Sequence, residues 1–297
     1  MSNLKTLLGP MRMPFLLLAL ACVFLGFGGA MWQAGSVNFL YSLLALVGGV
    51  AAHISVNALN EYFDFTSGLD LRTTRTPFSG GSGTLPANPE ASPQALVTGL
   101  VTAGITAAIG IYFIKVWGLG ILPLGLLGLV IIFTYTTWLN RLPLLCLVAP
   151  GLGFGTLMVM GTVFVLDGRY SWTAFFASLV PFFLVSNLLL LNQFPDVEAD
   201  RSIGRRHYPI LLGRRKSALI YGAFLAATYL SIIVGVVLGY LPVWTLLGLG
   251  TLVLALPAAR SAYRNADDIG QLIPAMGQNV LINLLTPTLM GIGFLLA

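Results

Sequence analysis

Charge is what this chain has least of. Of its 297 residues only 8% are Asp, Glu, Lys or Arg, against 57% that are hydrophobic, and its mean hydropathy is +0.90. Soluble domains carry roughly 25% charged residues, so the composition excludes a soluble enzyme. It excludes disorder as well, because disordered segments are poor in apolar side chains. Cysteine is nearly absent: Cys22 and Cys146 stand far apart, inside or beside apolar stretches. Neither belongs to a CxxC pair or a zinc-ligand spacing, so both read as small buried residues. The net charge of +5 is modest, and no nucleic-acid partner is expected.

What the chain does have is apolar runs long enough to cross a bilayer, which takes about 20 residues per helix. Nine are expected, near 13–31, 38–62, 95–116, 119–139, 143–166, 171–192, 217–239, 242–262 and 272–296. The first follows Lys5 and Arg12 and precedes Gly28, Gly29 and Ala30, as a signal peptide would. Because every later run is membrane-like too, it reads as a retained helix. The fold class expected is therefore all-α and integral to the membrane, one bundle over 1–297 with an N-terminus in the cytoplasm. Threaded this way, all but Lys115 and Arg169 of the 15 lysines and arginines fall on the cytoplasmic side, as the positive-inside rule asks. All but Asp167 of the 10 acids fall there also. The rule gives no reason for acids to do so.

Two long cytoplasmic connections, near 65–93 and 196–216, are placed to cap a site. The first is rich in Gly, Pro, Ser and Thr and includes Ser79-Gly80-Gly81-Ser82-Gly83. Structureless connections of that length are usually functional or linkers. The run is no P-loop, since it lacks the Lys-Ser/Thr and a preceding strand. The acids cluster where these connections begin. The second span closes on Asn60-Glu61-Tyr62-Phe63-Asp64 with Asp70 beyond; the sixth closes on Asn192-Gln193-Phe194-Pro195-Asp196 with Asp200 beyond. Each is Asn-x-x-x-Asp plus a further Asp, four spans apart, which suggests a repeated four-helix unit. At i and i+4 the Asn and Asp share a helix face. Asp200 extends that face if the helix continues past Pro195, whereas Asp70 requires the chain to turn back after Gly68.

Carboxylates so grouped repel one another unless a cation lies among them. Hard oxygen ligands suit Mg2+, usually held by one or two carboxylates together with substrate phosphates. Asn60, Asp64, Asp70, Asn192, Asp196 and Asp200 are thus candidate metal ligands, and two ions could be bridged by one diphosphate. Arg72, Arg75, Arg201, Arg205 and Arg206 are candidate phosphate partners, and the run from Ser79 offers backbone N–H groups to the same anion. The polar stripe also runs inward, His53 and Asn57 lying below Asn60 at helical spacing. These two are candidates for the acceptor. Asn279, Asn283 and Thr286 form a second polar face in the last span, which interhelical hydrogen bonding explains.

The two motifs, with Arg75-Thr76-Pro77-Phe78-Ser79-Gly80-Gly81-Ser82-Gly83 and Asp196-Val197-Glu198-Ala199-Asp200-Arg201, resemble the UbiA superfamily of intramembrane prenyltransferases. Within it the chain looks most similar to members resembling 1,4-dihydroxy-2-naphthoate polyprenyltransferases of menaquinone and other quinone pathways. The resemblance implies nine transmembrane helices and two Asp-rich motifs that bind an isoprenyl diphosphate through Mg2+. Two departures stand out. Glu61 replaces the Asp that usually follows the first Asn, with a six-residue step from Asp64 to Asp70 where four is usual. A Tyr-x-x-x-Lys common at the end of the fourth span lacks its Lys after Tyr135.

The expected activity is transfer of an isoprenyl chain to an aromatic acceptor in the lipid membrane of a prokaryotic cell, the inner one, at its cytoplasmic face. Asp64, Asp196, Asn60 and Asn192 would carry the catalytic metal chemistry, and Tyr62, Phe63, Tyr135 and Phe194 could shield an allylic cation. A non-aromatic or tetrapyrrole acceptor is the second expectation. A transporter is the third, disfavoured because its charges belong near the midplane, whereas these acids lie at span ends.

Overall fold

The computed structural model describes residues 4–297, with side chains from Thr6 onward. The side chain of Lys5, counted above among the basic residues, lies outside the described part. Helix accounts for 82% of the chain, and the described residues contain no strand. In chain order the long helices are α1 (Leu17–Ala34), α2 (Phe39–Thr66), α3 (Ser92–Trp117), α4 (Leu122–Thr134), α5, α6 (Trp172–Ser202), α7 (Arg214–Val237), α8 (Leu252–Arg264) and α9 (Ile269–Leu295). Helix α5 begins at Pro143–Gly151, widens to π geometry over Leu152–Val159, and resumes as α-helix over Met160–Asp167. Side-chain caps start three of them: Asn38, Ser171 and Asp268 accept the backbone N–H three residues on, satisfying donors that a helix start leaves unpaired.

Among the described residues, eight helical stretches are long and apolar enough to cross a membrane. One of them, Pro89–Thr134, has 46 residues, about 69 Å of helix against a hydrocarbon layer of about 30 Å. It comprises α3 and α4, broken at Gly118, whose φ of 76° and ψ of −167° suit a residue without Cβ. Where the sequence alone placed two spans, 95–116 and 119–139, the structure therefore has one apolar stretch bent at this glycine. Contacts at helix ends sort into two groups. Trp117 donates to the Val165 carbonyl, Tyr170 to that of Gly120, Ser171 to the Gln33 side chain and Thr173 to the Tyr240 carbonyl. At the other ends Arg12 reaches Glu61, the Arg206 amide reaches the Asn140 carbonyl, Arg72 reaches Ser202 and Arg214 reaches Asp267.

The core runs along α6, which packs on α1, α5, α7 and α9. Cys22 and Cys146 are free thiols buried in it. Helix α5 lies against α6 at Gly151 and Gly155: a Cβ on Gly155 would stand 2.4 Å from the Phe182 amide nitrogen, so only glycine permits this approach. The polar face of α9 is interhelical glue. Asn279 accepts from Tyr221 at 3.1 Å, and Thr286 meets Thr251 at 2.8 Å.

Candidate active site

Helix α6 continues through Pro195 to Ser202, so Asn192, Asp196 and Asp200 lie along one helix; the second connection begins at Ile203 rather than at Asp196. On α2, Asn60 donates to Asp64 Oδ2 at 3.0 Å and to Thr136 Oγ1 at 3.1 Å. Just beyond, Gly68 at φ 74° turns the chain. The amides of Leu69 and Asp70 fold back onto the Asp64 carbonyl at 3.0 and 3.4 Å, bringing Asp70 beside Asp64. The two motifs meet across Arg205. Its guanidinium donates to Asp64 Oδ1 through one nitrogen and to Asp200 Oδ1, at 2.8 Å, through another. His207 completes Asp200, its Nε2 standing 2.9 Å from Oδ2.

Electrostatics follows from this burial. Asp70 is 6% exposed, and burial, with Asp64 and Glu61 adding like charge, raises its pKa to about 7. Burial also works against the charge on Arg205, but Asp64 and Asp200 outweigh it and the pKa rises. Three buried oxygens of the motif residues have no hydrogen-bond partner among the described residues: Asp70 Oδ2, Asp196 Oδ1 and Asn192 Oδ1. Such orphans are costly unless something else satisfies them. No three His, Cys, Asp or Glu side chains among the described residues converge on one point. The donors are therefore few, hard and incomplete, which fits a Mg2+ that takes its remaining ligands from phosphate and water.

The first residue of each motif, Asn60 and Asn192, lines a cavity of about 320 Å³. Arg12, His53, Asn57, Asn60, Tyr135 and Asn192 line its polar end, and apart from Thr106 and Thr162 the rest of the lining is apolar. His53 packs edge-on to Phe154 at 4.6 Å between centroids, and Asn57 donates to the Met11 carbonyl at 3.1 Å. Phe78, from the glycine-rich connection, also lines the cavity, while Ser79 pairs with Thr76 at 2.9 Å.

The five arginines singled out in the sequence do not gather. Only Arg205 lies between the motifs. Arg72 bonds Ser202, Arg201 pairs with Glu198 at 2.9 Å, Arg75 lies across Gly83, and Arg206 is exposed. Three residues the sequence reading did not assign to the site are built into it. His207 orients Asp200. Arg12, at φ 51° ahead of α1, donates to Glu61 at 2.7 Å and to Asn60 at 3.0 Å. Glu61, fully buried, also accepts from the Ser82 amide at 2.7 Å and the Ser82 hydroxyl at 2.8 Å. It thereby ties the N-terminal segment to the glycine-rich connection. The signals present were an acid beside Asn60 and a histidine in a basic run; nothing in the sequence pointed Arg12 inward.

Comparison with known proteins agrees with this architecture. The chain is 25% identical over 267 residues to the 1,4-dihydroxy-2-naphthoate octaprenyltransferase of Bacillus subtilis, covering 88% of this chain and 83% of that protein. It is 30% identical over 115 residues to the digeranylgeranylglyceryl phosphate synthase of Pyrococcus horikoshii, 37% of this chain and 40% of that protein. Its fold matches a UbiA homologue from Aeropyrum pernix K1 with a TM-score of 0.73 at 20% identity, covering 95% of this chain and 98% of the other. It also matches a UbiA homologue from Archaeoglobus fulgidus bound to DMAPP and Mg2+, with a TM-score of 0.62 at 14% identity over 98% and 100% of the two chains. The model of the UbiA prenyltransferase family matches residues 19–271, and the chain belongs to that family, as a membrane-embedded prenyltransferase.

Proposed function

We propose that the protein transfers an isoprenyl chain from its diphosphate to an aromatic quinone-precursor acceptor, with Mg2+ as cofactor. One observation carries the reading: Arg205 joins Asp64 of the first motif to Asp200 of the second, and Asn60 and Asn192 of the same two motifs line one largely apolar cavity. Asp70, Asp196 and Asn192, with their unpartnered oxygens, and Asp64, Asn60 and Asp200 beside them, would share Mg2+ ions between the two motifs, with diphosphate and water completing the ligands. When bound, Mg2+ neutralises the diphosphate as it departs. The arginine between the motifs adds fixed positive charge where that anion develops. The cavity receives the prenyl tail, keeps water from the allylic carbon, and presents Tyr135 and Phe154 near it. His53 and Asn57, one to two turns below Asn60, stand where the acceptor would meet that carbon. The aromatic acceptor is supported by the near-complete alignment with the naphthoate octaprenyltransferase.

A second reading, a polyol phosphate acceptor, is favoured by the partial likeness to the digeranylgeranylglyceryl phosphate synthase. Purified protein incubated with a labelled isoprenyl diphosphate, Mg2+ and a panel of both acceptor types decides between them. Transfer to neither overturns the proposal.

We also read nine crossings, since α3 and α4 together are too long for one. The two groups of helix-end contacts support alternate threading. On that threading the positive-inside rule supports a site, and an N-terminus, at the cytoplasmic face of a prokaryotic membrane. One transmembrane domain over 1–297, built on a repeated four-helix unit, is part of the same proposal.

A further inference from the structure

Below Asn60 and Asn192 the cavity continues as a largely apolar arm between α2, α3, α4 and α5. Its α2 wall is a stripe of small residues, Ala45, Gly48, Gly49 and Ala52, ending at His53. His53 is 5% exposed with Nδ1 unpartnered, and it marks the polar end. The far end lies against packed side chains. Phe113, Ile121 and Val165 line it and belong to a packed cluster with Phe164 and Leu166, and Tyr41 stacks edge-on against Phe113 at 5.4 Å.

The length of the arm can be measured along three helices independently. The lining runs from Asn60 to Ala45 on α2, from Tyr135 to Ile121 along α4, and from Ala149 to Val165 on α5. At about 1.5 Å per residue the first two paths are roughly 22 and 21 Å, and the third, shortened by the π stretch over Leu152–Val159, is at most roughly 24 Å. An extended isoprenyl chain gains four carbon–carbon bonds per unit, roughly 5 Å. About four units fit between mouth and floor.

We infer that the arm is a tail pocket of limited length, matched to a donor of about four isoprene units, with Phe113, Ile121 and Val165 as its floor. The inference rests on the prenyl-transfer reading above. Glycines set the bore. A methyl group added to Gly161 would meet nothing within 4 Å, and one added to Gly128 would meet only Leu157 Cδ1 at 3.9 Å. Both line the cavity, so the space before them is the bore itself. Gly128 lies roughly 10 Å below Tyr135, and Gly161, across the π stretch, at most roughly 18 Å below Ala149. Leucine at either position favours helix over glycine and plugs the pocket at its own depth.

The test uses the full-length protein in nanodiscs, with kcat/KM measured for donors of two, three, four and eight units. The wild type should rise to four units and fall at least tenfold at eight. Gly161→Leu should keep the two- and three-unit donors and lose at least tenfold on the four-unit one. Gly128→Leu should keep only the two-unit donor, and Phe113→Ala should move the optimum beyond four. Equal use of the four- and eight-unit donors by the wild type, or leucine variants with the wild-type profile, overturns the inference. A second measurement needs no transfer: thermal stabilisation of the wild type by saturated n-alkyl phosphates should grow up to about 16 carbons and then level off. A break at that length without transfer of any donor leaves the pocket standing and refutes prenyl transfer. A profile with no break refutes the pocket, whatever is transferred.

Discussion

Arg205 offers the sharpest perturbation, because one guanidinium serves both motifs. Its side chain is 14% exposed, and its partners Asp64 and Asp200 are 10% and 4% exposed. Arg205→Met keeps the bulk and removes the charge, leaving two buried carboxylates facing each other. Removing one partner of a buried ion pair costs about 3–5 kcal/mol. Two orphaned acids push the cost upward; the bonds that Asn60 still makes to Asp64 and His207 to Asp200 hold it down. Thermal unfolding, followed by intrinsic fluorescence in one detergent, should therefore fall by on the order of 10 °C. Arg205→Lys should fall part of the way, since an ammonium cannot fork to both carboxylates as a planar guanidinium does. Arg206→Met, at an exposed residue without an ion pair, should stay within about 0.5 kcal/mol of wild type. Millimolar Mg2+ should recover part of the loss in Arg205→Met, because a divalent cation supplies charge that the two acids have lost. An Arg205→Met protein that melts within about 2 °C of wild type would refute the view that this residue couples the motifs.

Much of the membrane architecture was legible because a bilayer makes apolar length nearly decisive. The two motifs were legible for a different reason: acids at span ends have no role in topology and so demand another. Their meeting at one cavity depends on α6 running past Pro195, which periodicity alone cannot distinguish from a helix that stops there. The arginines show the opposite case. Five looked equivalent by charge and proximity in sequence, yet only Arg205 follows a turn whose amide folds back onto the Asp200 carbonyl and aims the side chain between the motifs. Arg12 was hidden because it counts as an ordinary topogenic base until the backbone at its position is known to be left-handed. The depth of the tail pocket was beyond reading, since it depends on how far Phe113 and Val165, from separate helices, approach each other.

Chelation with EDTA should abolish transfer and added Mg2+ should restore it; full activity in metal-free buffer would remove the metal from the reaction. Asp196→Asn should lower kcat at least a hundredfold with little change in melting, because Asp196 Oδ1 has no partner to lose. Asp64→Asn should lower kcat as much but also melt earlier, having weakened its bond to Arg205. His53→Ala should change KM for the acceptor or turnover and leave KM for the donor alone, with each substrate varied in turn; wild-type kinetics for both would place the acceptor elsewhere. Glu61 separates shape from charge. Glu61→Gln can keep an oxygen for Arg12 and the Ser82 amide and turn its NH2 to the Ser82 hydroxyl, losing only the countercharge to Arg12. Hydrogen bonds to charged groups are worth about 1.5–3 kcal/mol, so that is the scale of its loss. Glu61→Ala removes every acceptor at a fully buried position and should cost about 3–5 kcal/mol. Amide exchange at Ser82, whose N–H is held by Glu61, should rise strongly in the alanine variant and little in the glutamine one. Equal exchange at Ser82 in the wild type and the alanine variant would mean that the glycine-rich connection is held over the site by something other than Glu61.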